Sequence, residues 1–309
     1  MRKIDALEHR AMLNFMCHGI LFLLLLPSLA QAQQHTSAIM ASRNRPDLRI
    51  AERSVGKLND LDCVIEHYQD DWAWVRESTG QAGWVKRTEV VPMDEAIDYF
   101  TRKIRQQPSV AEWYNRRAAV RHFQGELDSA LADITEAIRL DPKAAPYHNS
   151  RGNIYAAKHD YERALADYNA ALRLDPNFAA AWNNAGSARF HQGNYRKALE
   201  DYDRSIRIEP NDALIYGRRA WIWATAGDAK VRDGKKAVES ARHACELTAW
   251  QEWRDIDTLA AAYSEAGDFT SAVKYAKQAL EKAPPDDAQR EEAVEHLQLF
   301  EAGKPVRER

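Results

Sequence analysis

The chain has 309 residues, enough for two domains, and its composition of 45% hydrophobic and 29% charged residues is ordinary for a folded protein. Its formal net charge is −3, and the sequence contains no stripe of clustered Lys and Arg. We therefore exclude nucleic acid as an expected partner, because phosphate binding requires such clusters. Cys17, Cys63 and Cys245 lack paired spacing, so we expect neither a disulfide framework nor a zinc site.

Residues 1–32 have the pattern of a secretory signal. Three basic residues precede a short apolar run at Ile20–Leu26, and small residues follow that run as far as Ala32. The run is too short to span a bilayer, which requires about 20 apolar residues. We therefore expect export to the periplasm or the cell exterior after cleavage near Ala32. The alternatives are an uncleaved N-terminal segment that anchors the chain to a membrane, and a translation start at Met12.

The stretch from residue 33 to residue 92 contains a predicted linker and a predicted β domain. Residues 33–46 are polar and show no period, which is typical of a linker. Within residues 47–92, runs such as Ala73–Val75 and Gly83–Val85 are rich in β-branched and aromatic residues, with a glycine between them. A strand, a turn and a strand in this order predict a β-hairpin.

A helical period begins at residue 93. Met93–Gln107 has apolar residues at helical spacing and a proline just beyond it, so we predict one helix that has no helical partner before it. From there a 34-residue period repeats small residues, aromatic residues and a closing proline at fixed positions. The three regular copies are Ser109–Pro142, Lys143–Pro176 and Asn177–Pro210.

Two further copies depart from the regular length. The fourth begins near Tyr216 and carries five extra residues before its second helix, which we predict at Lys235–Leu247. The fifth runs from Trp253 to Pro284. We expect a last amphipathic helix at Asp286–Ala302, which covers the final apolar face, and a frayed tail after it.

This pattern resembles the tetratricopeptide repeat (TPR), a helical hairpin of 34 residues. The clearest copy has Trp182, Gly186 and Tyr202 at positions of the TPR pattern. The resemblance implies a mainly α protein in which residues 93–285 form a TPR α-solenoid of about five helical hairpins. Residues 286–309 would then form a capping helix and a tail.

The β stretch resembles the second half of a bacterial SH3-like domain. The resemblance rests on a strand that contains Trp72 and Trp74 and on a following Gly-Trp-Val strand that contains Trp84. It implies a small all-β SH3-like barrel over residues 47–92, in front of the solenoid. The three tryptophans are interpreted either as a ligand surface or as the core of that barrel.

Asparagines recur on the first helices of the hairpins, which line the inner face of a TPR solenoid. Alignment of the repeats places Asn115, Asn149 and Asn183 at one equivalent position, where the fourth repeat has Gly217. In TPR proteins such amides pair with the backbone of an extended peptide, because an amide offers both donors and an acceptor. The alternative is a polar residue that is tolerated on a wet helix face. We therefore expect the peptide-binding groove in the first three repeats.

The rest of the predicted groove is polar or basic. It comprises Asn153, Asn184, Ser187, Arg116 and Arg219. The arginines favour an acidic ligand, with a solvated helix face as the alternative. Some TPR proteins bind chaperone C-termini through a carboxylate clamp, which requires a lysine where this chain has Asn115. Chaperone tails are therefore not expected partners.

The sequence contains no recognisable pattern of a catalytic or metal site. The histidines lack the spacing of a motif such as HExxH, and there is no G-x-S-x-G elbow, phosphate-cradling glycine loop or dinucleotide fingerprint. We interpret the acid pair Glu200 and Asp201 as a surface feature of the repeat, and Asp133, Asp167 and Asp201 recur because the repeat does. We expect no catalytic residues, no cofactor and no metal.

The favoured hypothesis is a non-enzymatic scaffold that binds a partner protein or peptide in the concave TPR groove. A second hypothesis is cell-envelope ligand binding, in which the SH3-like domain recognises wall peptide or glycan. A third is a cytoplasmic or anchored assembly adaptor, which requires that residues 1–32 do not act as a cleaved signal. The sequence predicts membrane contact only through an uncleaved N-terminal segment, and it leaves the partner's identity and the oligomeric state open.

Overall fold

The structure is a computed structural model that describes residues 36–40, 47–50, 53–57, 62–69, 71–76, 82–86, 90–285 and 287–308. The predicted signal at residues 1–32 lies outside these ranges. The chain divides between Val90 and Val91 into a β unit and a helical unit. Within the described ranges, the structure contains no helix that is both long enough and apolar enough to cross a membrane.

The described part of the β unit forms one sheet. Its strands are β1 (Thr36–Met40), β2 (Asp47–Ile50), β3 (Arg53–Lys57), β4 (Asp62–Gln69), β5 (Trp72–Arg76) and β6 (Ala82–Lys86), and a further strand, β7 (Val90–Pro92), spans the division between the units. Within the β unit the strand order is β3-β2-β6-β5-β4-β1. The predicted hairpin is confirmed as the antiparallel pair β5–β6. Strand β1 lies inside the segment that the sequence predicts to be a linker, and it pairs with β4.

The described part of the helical unit contains twelve helices. They are α1 (Met93–Gln106), α2 (Ala111–Phe123), α3 (Leu127–Leu140), α4 (Ala145–Ala157), α5 (Tyr161–Leu174), α6 (Ala179–His191), α7 (Tyr195–Ile208), α8 (Ala213–Thr225), α9 (Gly234–Leu247), α10 (Trp253–Glu265), α11 (Phe269–Lys282) and α12 (Arg290–Glu301). Five consecutive hairpins, from α2–α3 to α10–α11, match the predicted repeats, while α1 packs on α2 and α12 packs on α11.

Proline sets the end of the second helix in each regular hairpin. The residues after α3, α5 and α7 are Asp141, Asp175 and Glu209, with φ of −140°, −138° and −124°. Each of them precedes a proline. Proline disfavours helical backbone in the residue before it, so the helix stops at that point in every copy.

Small residues of one helix meet aromatic rings of the other within a hairpin. Gly152 lies against Tyr168 and Gly186 against Tyr202, so closely that a Cβ on Gly186 would stand 2.7 Å from the Tyr202 ring. Ala198 on α7 is fully buried in the same contact region. Neighbouring hairpins then complete the core, because two short helices cannot bury their apolar faces alone.

One aspartate in each regular hairpin is buried, and the surface interpretation of Asp201 is wrong. Asp133, Asp167 and Asp201 are exposed by 5%, 5% and 3%. A buried carboxylate requires a charged or hydrogen-bonding partner. Each receives one from the first helix of its own hairpin, namely Arg117 and Arg121 for Asp133, Arg151 for Asp167, and Arg189 for Asp201.

The end of the helical unit differs from the sequence-based expectation. Helix α12 begins at Arg290, later than the predicted start at Asp286. The expected frayed tail is wrong for Lys304–Glu308, because Val306 is only 8% exposed and packs into a core cluster. The backbone N–H of Glu308 also donates to the carbonyl of Thr225 at 2.9 Å.

Candidate functional site

The predicted asparagines form a row of amides that links neighbouring repeats. The amide row consists of Asn115, Asn149, Asn153, Asn183 and Asn184. Nδ2 of Asn184 on α6 donates to Oδ1 of Asn149 and to Oδ1 of Asn153, both on α4, at 3.0 Å each. Nη1 of Arg218 on α8 donates to Oδ1 of Asn183 at 2.9 Å. Asn184 and Arg218 occupy equivalent positions in successive repeats, so these bonds tie α4 to α6 and α6 to α8.

In these bonds three asparagines of the amide row accept through their side-chain oxygens, and only Asn184 donates through its side-chain nitrogen. Oδ1 of Asn153 also accepts from the hydroxyl of Tyr168 at 2.9 Å. Asn115 differs, because its buried Oδ1 has no hydrogen-bond partner within the described ranges. The residue at the donor position of the next repeat is Ser150, whose side chain is shorter. An unsatisfied buried oxygen costs free energy, so a donor from a ligand would be favourable there.

The two predicted groove arginines are engaged elsewhere. Arg116 is 3% exposed and pairs with Glu112 at 2.8 Å, so it does not project toward a ligand. Arg219 turns to the second helices, where Nη1 donates to Asp203 at 2.7 Å and Nε donates to Ser240 at 3.2 Å. The structure therefore does not bring these two arginines to the amide row.

A pocket of about 310 Å³ continues the line of first helices beyond the amide row. Six of the residues from α6 and α8 that line it are here called the groove surface, namely Ser187, Phe190, Leu214, Gly217, Arg218 and Trp221. Residues of α10 close its far side. Gly217 holds the position that asparagine fills in the three preceding repeats, and a Cβ there would stand 3.2 Å from Oδ1 of Asp255. The missing side chain lets the Asp255 carboxylate of α10 approach α8 at this point.

The groove surface combines apolar walls with polar groups. Leu214 is 53% exposed. Phe190 and Trp221 are half-buried aromatic walls. Ser187 and Arg218 supply a hydroxyl and a guanidinium. A mainly apolar pocket with a few polar groups is typical of a ligand site.

Burial shifts the pKa values of three titratable groups that line this pocket. Burial raises the pKa of the Asp255 carboxyl to about 6, although a hydrogen bond from Thr248 opposes the shift. Burial lowers the pKa of His191, and the nearby Arg218 guanidinium lowers it further. Burial also raises the pKa of the Tyr202 hydroxyl to about 12, so that this group stays neutral.

Sequence reasoning missed this pocket because it treated Gly217 as the end of the asparagine row. The glycine alone does not mark the pocket, because the Asp255 carboxylate fills the space beside it. Among the lining residues are Phe190, Leu214 and Trp221, which come from two helices. No one-dimensional pattern connects these three residues.

The predicted tryptophans of the β unit share one face of the hairpin β5–β6. Ala73, Val75 and Val85 are 0% exposed, whereas Trp72, Trp74 and Trp84 are half-buried. Side chains alternate between the two faces of a strand, so the aliphatic residues form the core face and the tryptophans the other. Trp74 and Trp84 are register partners with ring centroids 5.3 Å apart in an edge-to-face arrangement.

The described side chains contain no group of three or more His, Cys, Asp or Glu that is arranged to hold a metal ion. Cys245 is buried in the core, and burial raises the pKa of its thiol to about 12. A thiol in this state is a packing group, because only the thiolate is a strong nucleophile.

Comparison with known proteins identifies the repeats. Residues 93–145 and residues 152–221 each match a family model described as the tetratricopeptide repeat. No curated protein shows significant sequence similarity to the chain.

Several solved structures share the fold. TTC0263, a thermophilic TPR protein in Thermus thermophilus, is 20% identical with a TM-score of 0.50, and the match covers 61% of this chain and 100% of that one. MamA from Desulfovibrio magneticus RS-1 is 21% identical with a TM-score of 0.50, covering 58% and 97%. A chain of the APC/C hetero-tetramer Cut9–Hcn1 is 15% identical with a TM-score of 0.57, covering 67% and 39%. Residues 93–145 and 152–221 therefore match tetratricopeptide repeats, and the helical unit has the solenoid fold of these solved structures.

Proposed function

We propose that the protein is a non-enzymatic scaffold that binds an extended segment of a partner protein along the first helices of its repeats. The observation that carries this proposal is the pocket of about 310 Å³ at the end of the amide row. The pocket accepts one apolar side chain of the partner. The amide row and Arg218 hold the partner's backbone and an acidic group beside it.

The repeat architecture supports this role. Stacked hairpins create an extended surface along their first helices, and repeat proteins use such surfaces for binding. Here the surface is held in register by the bonds from Asn184 to α4 and from Arg218 to α6. A surface that is ordered before binding loses less conformational freedom when the partner arrives, which favours affinity.

The test is a selection of random peptides displayed on phage against the full chain, followed by Kd measurement for an enriched peptide by fluorescence anisotropy. Leu214→Ala should weaken binding by about tenfold, because the apolar wall of the pocket is lost. The matched control is Leu174→Ala, since Leu174 is 42% exposed but lies on α5, away from the pocket. Equal affinities for the two variants would contradict the proposal.

The amide row can be tested separately with Asn149→Ala combined with Asn183→Ala. Both residues accept hydrogen bonds from the next repeat. We expect weaker binding of the selected peptide and also a lower Tm, because Asn184 and Arg218 each lose a partner. If the double variant binds the selected peptide with unchanged affinity, the amide row has only a structural role.

A second candidate function, cell-envelope ligand binding, is favoured by the face that carries Trp72, Trp74 and Trp84. We propose that the sheet belongs to an SH3-like domain and that this aromatic face recognises wall peptide or glycan. Half-buried tryptophans are large apolar contacts that retain a polar N–H. The full chain should be retained on purified wall sacculi, and Trp72→Ala should reduce retention. Equal retention of both proteins would argue against the aromatic face.

Export remains the proposed localisation, with cleavage after Ala32. Mass spectrometry of the mature N-terminus is the direct test, and it should find Gln33 as the first residue. An intact Met1 or Met12 would favour an anchored form or a cytoplasmic assembly adaptor.

A further inference from the structure

The chain folds back on itself after α12. Gly303 adopts a φ of 69°, a conformation that glycine reaches without strain. The N–H of Lys304 donates to the carbonyl of Leu299 at 2.8 Å, and the N–H of Gly303 donates to that of Phe300 at 3.0 Å. This is the geometry of a helix C-terminal cap that reverses the chain direction. The next residues, Lys304–Glu308, therefore return to the ends of α8 and α10.

Three consecutive residues of this returning segment make three different kinds of contact. Val306 is 8% exposed and packs into the cluster that includes Ala224 and Phe300. The guanidinium of Arg307 pairs with Glu265 at 2.6 Å.

The third residue, Glu308, is bound through both its backbone and its side chain. Its N–H donates to the carbonyl of Thr225 at 2.9 Å. Its carboxylate accepts a hydrogen bond from Nε1 of Trp221 at 2.6 Å. Thr225 is the last residue of α8, and the final carbonyls of a helix have no partner inside the helix. The helix end therefore offers a ready acceptor for the backbone of a neighbouring strand-like segment.

The contacts of Lys304–Glu308 lie next to the groove surface. Trp221, which holds Glu308, also lines the pocket beside the amide row. The Glu308 carboxylate is close enough to His191 to oppose the lowering of the imidazole pKa that burial and Arg218 cause. The segment thus reaches the edge of the surface to which the proposed function assigns the partner.

We propose that Trp221, Thr225 and Glu265 form a binding site for an extended peptide with an apolar, a basic and an acidic residue in succession, which this chain occupies with its own Val306–Glu308. A partner segment of the same pattern binds there by displacing the chain's own residues. This inference builds on the proposed peptide-binding role but rests on residues outside the amide row.

The attachment of the segment is suited to displacement. Val306 is its one buried side chain among the described residues, while Lys304 is exposed and Arg307 keeps 36% of its side-chain surface. Tethered segments act at an effective concentration of about a millimolar when the tether is short. A partner must therefore bind well enough to compete with the tethered copy, which makes the segment a filter against weak ligands.

The experiment uses a defined probe, a fluorescein-labelled synthetic peptide of residues 303–309. A chain that ends at Gly303 should bind this peptide saturably in fluorescence anisotropy. The full-length chain should bind it at least about tenfold more weakly, because its own segment competes. The control peptide carries Val306→Asp and Glu308→Lys and should not bind. Trp221→Phe in the shortened chain should weaken binding severalfold, whereas Trp223→Phe should not, since Trp223 packs under Arg219 instead.

A second variant keeps the proposal testable if the shortened chain does not fold. The full-length Val306→Ser and Arg307→Ala double variant loses the buried side chain and the ion pair but keeps its length. It should bind the probe more tightly than the unmodified chain does. The inference is overturned if neither the shortened chain nor the double variant binds the probe saturably. It is also overturned if both bind the probe with the same affinity as the unmodified chain.

The two proposals fail in different ways. If selected peptides depend on Leu214 but the probe does not bind the released chains, the groove function stands and this inference is lost. If binding of the probe depends on Trp221 but binding of the selected peptides does not depend on Leu214, this inference stands and the groove function is lost.

Discussion

At the scale of single residues, Gly234 is the glycine of the described helical unit that lies closest to backbone atoms of another element. A Cβ at this position would stand 2.6 Å from the backbone N and 2.7 Å from the Cα of Ala266. Backbone atoms cannot move aside as a flexible side chain does. Gly234 is the first residue of α9, so its small size sets how closely α9 approaches the end of α10.

We therefore expect Gly234→Ala to destabilise the protein by about 1–3 kcal/mol, the usual cost of overpacking. Gly227→Ala is the matched control, because the nearest atom to its added Cβ would be 3.4 Å away, an ordinary contact distance. Urea unfolding followed by circular dichroism measures both. A similar free energy of unfolding for the two variants would contradict the steric argument.

The buried carboxyl of Asp255 should make the stability of the protein depend on pH. Burial raises the pKa of this carboxyl from 3.8 to about 6 in the folded protein. A raised folded-state pKa gives a stabilising contribution that is complete below the unfolded-state pKa and is lost as the pH rises through the folded-state pKa. Stability relative to Asp255→Asn should therefore fall between about pH 4 and pH 6 and remain low above that window.

The Asp255→Asn variant is a fair reference because an amide oxygen can still accept the hydrogen bond from Thr248. Urea unfolding of both proteins between about pH 4 and pH 7.5 gives the difference in free energy. A difference that does not change with pH would show that the carboxyl is solvated in the folded state.

At the scale of elements, each regular hairpin is held by a buried arginine–aspartate pair as well as by apolar packing. In the second hairpin, Arg151 binds both carboxylate oxygens of Asp167, at 2.8 Å and 2.7 Å. This two-point geometry joins α4 to α5 with a defined orientation. The pair also fixes which face of α5 turns inward, since Asp167 lies on the same helix as the core residues Ala164 and Tyr168.

Asp167→Ala should destabilise the protein by about 3 kcal/mol, because it leaves a largely buried guanidinium without its partner. The control is Glu136→Ala, which removes an ion pair to Arg139, a residue whose side chain is 67% exposed. Exposed pairs contribute little, so this change should be hard to resolve. Thermal unfolding distinguishes the two, and an equally small effect of both would refute the structural role of Asp167.

At the scale of the whole helical unit, the cores of the repeats are not equal. One cluster of 15 buried residues joins α8, α9, α10, α11, α12 and Val306. The second and third hairpins instead share smaller clusters of four buried residues each. In a repeat protein, stability is a sum of local and nearest-neighbour terms, so it can differ along the chain.

Amide hydrogen exchange should therefore be slowest in α10, where eight of 13 residues are buried, and faster in α4 and α5. Mass spectrometry of peptic fragments under native conditions provides the measurement. Equal protection of α4 and α10 would mean that the unit opens as a single cooperative block.

Much of the fold follows from local chemistry that can be seen in the sequence. The five hairpins and the end of each regular second helix are predictable, because small residues, aromatic residues and prolines recur with a fixed period. The β5–β6 hairpin is also predictable, since alternation and a glycine turn act within about 15 residues. The positions of Asn149 and Asn183 on the first helices follow from the same period.

The remaining features depend on residues that are far apart in the chain. The burial of Asp167 depends on Arg151, the pocket at Gly217 depends on walls from α6 and α10, and the burial of Val306 depends on the cluster that includes Ala224 and Phe300. By itself, the sequence determined the repeat, its register and its helix ends, because these arise from short-range sterics and periodic burial. Only the tertiary structure decided which polar groups are occupied, where the groove deepens and what covers its end, because these properties depend on the three-dimensional distances between different repeats.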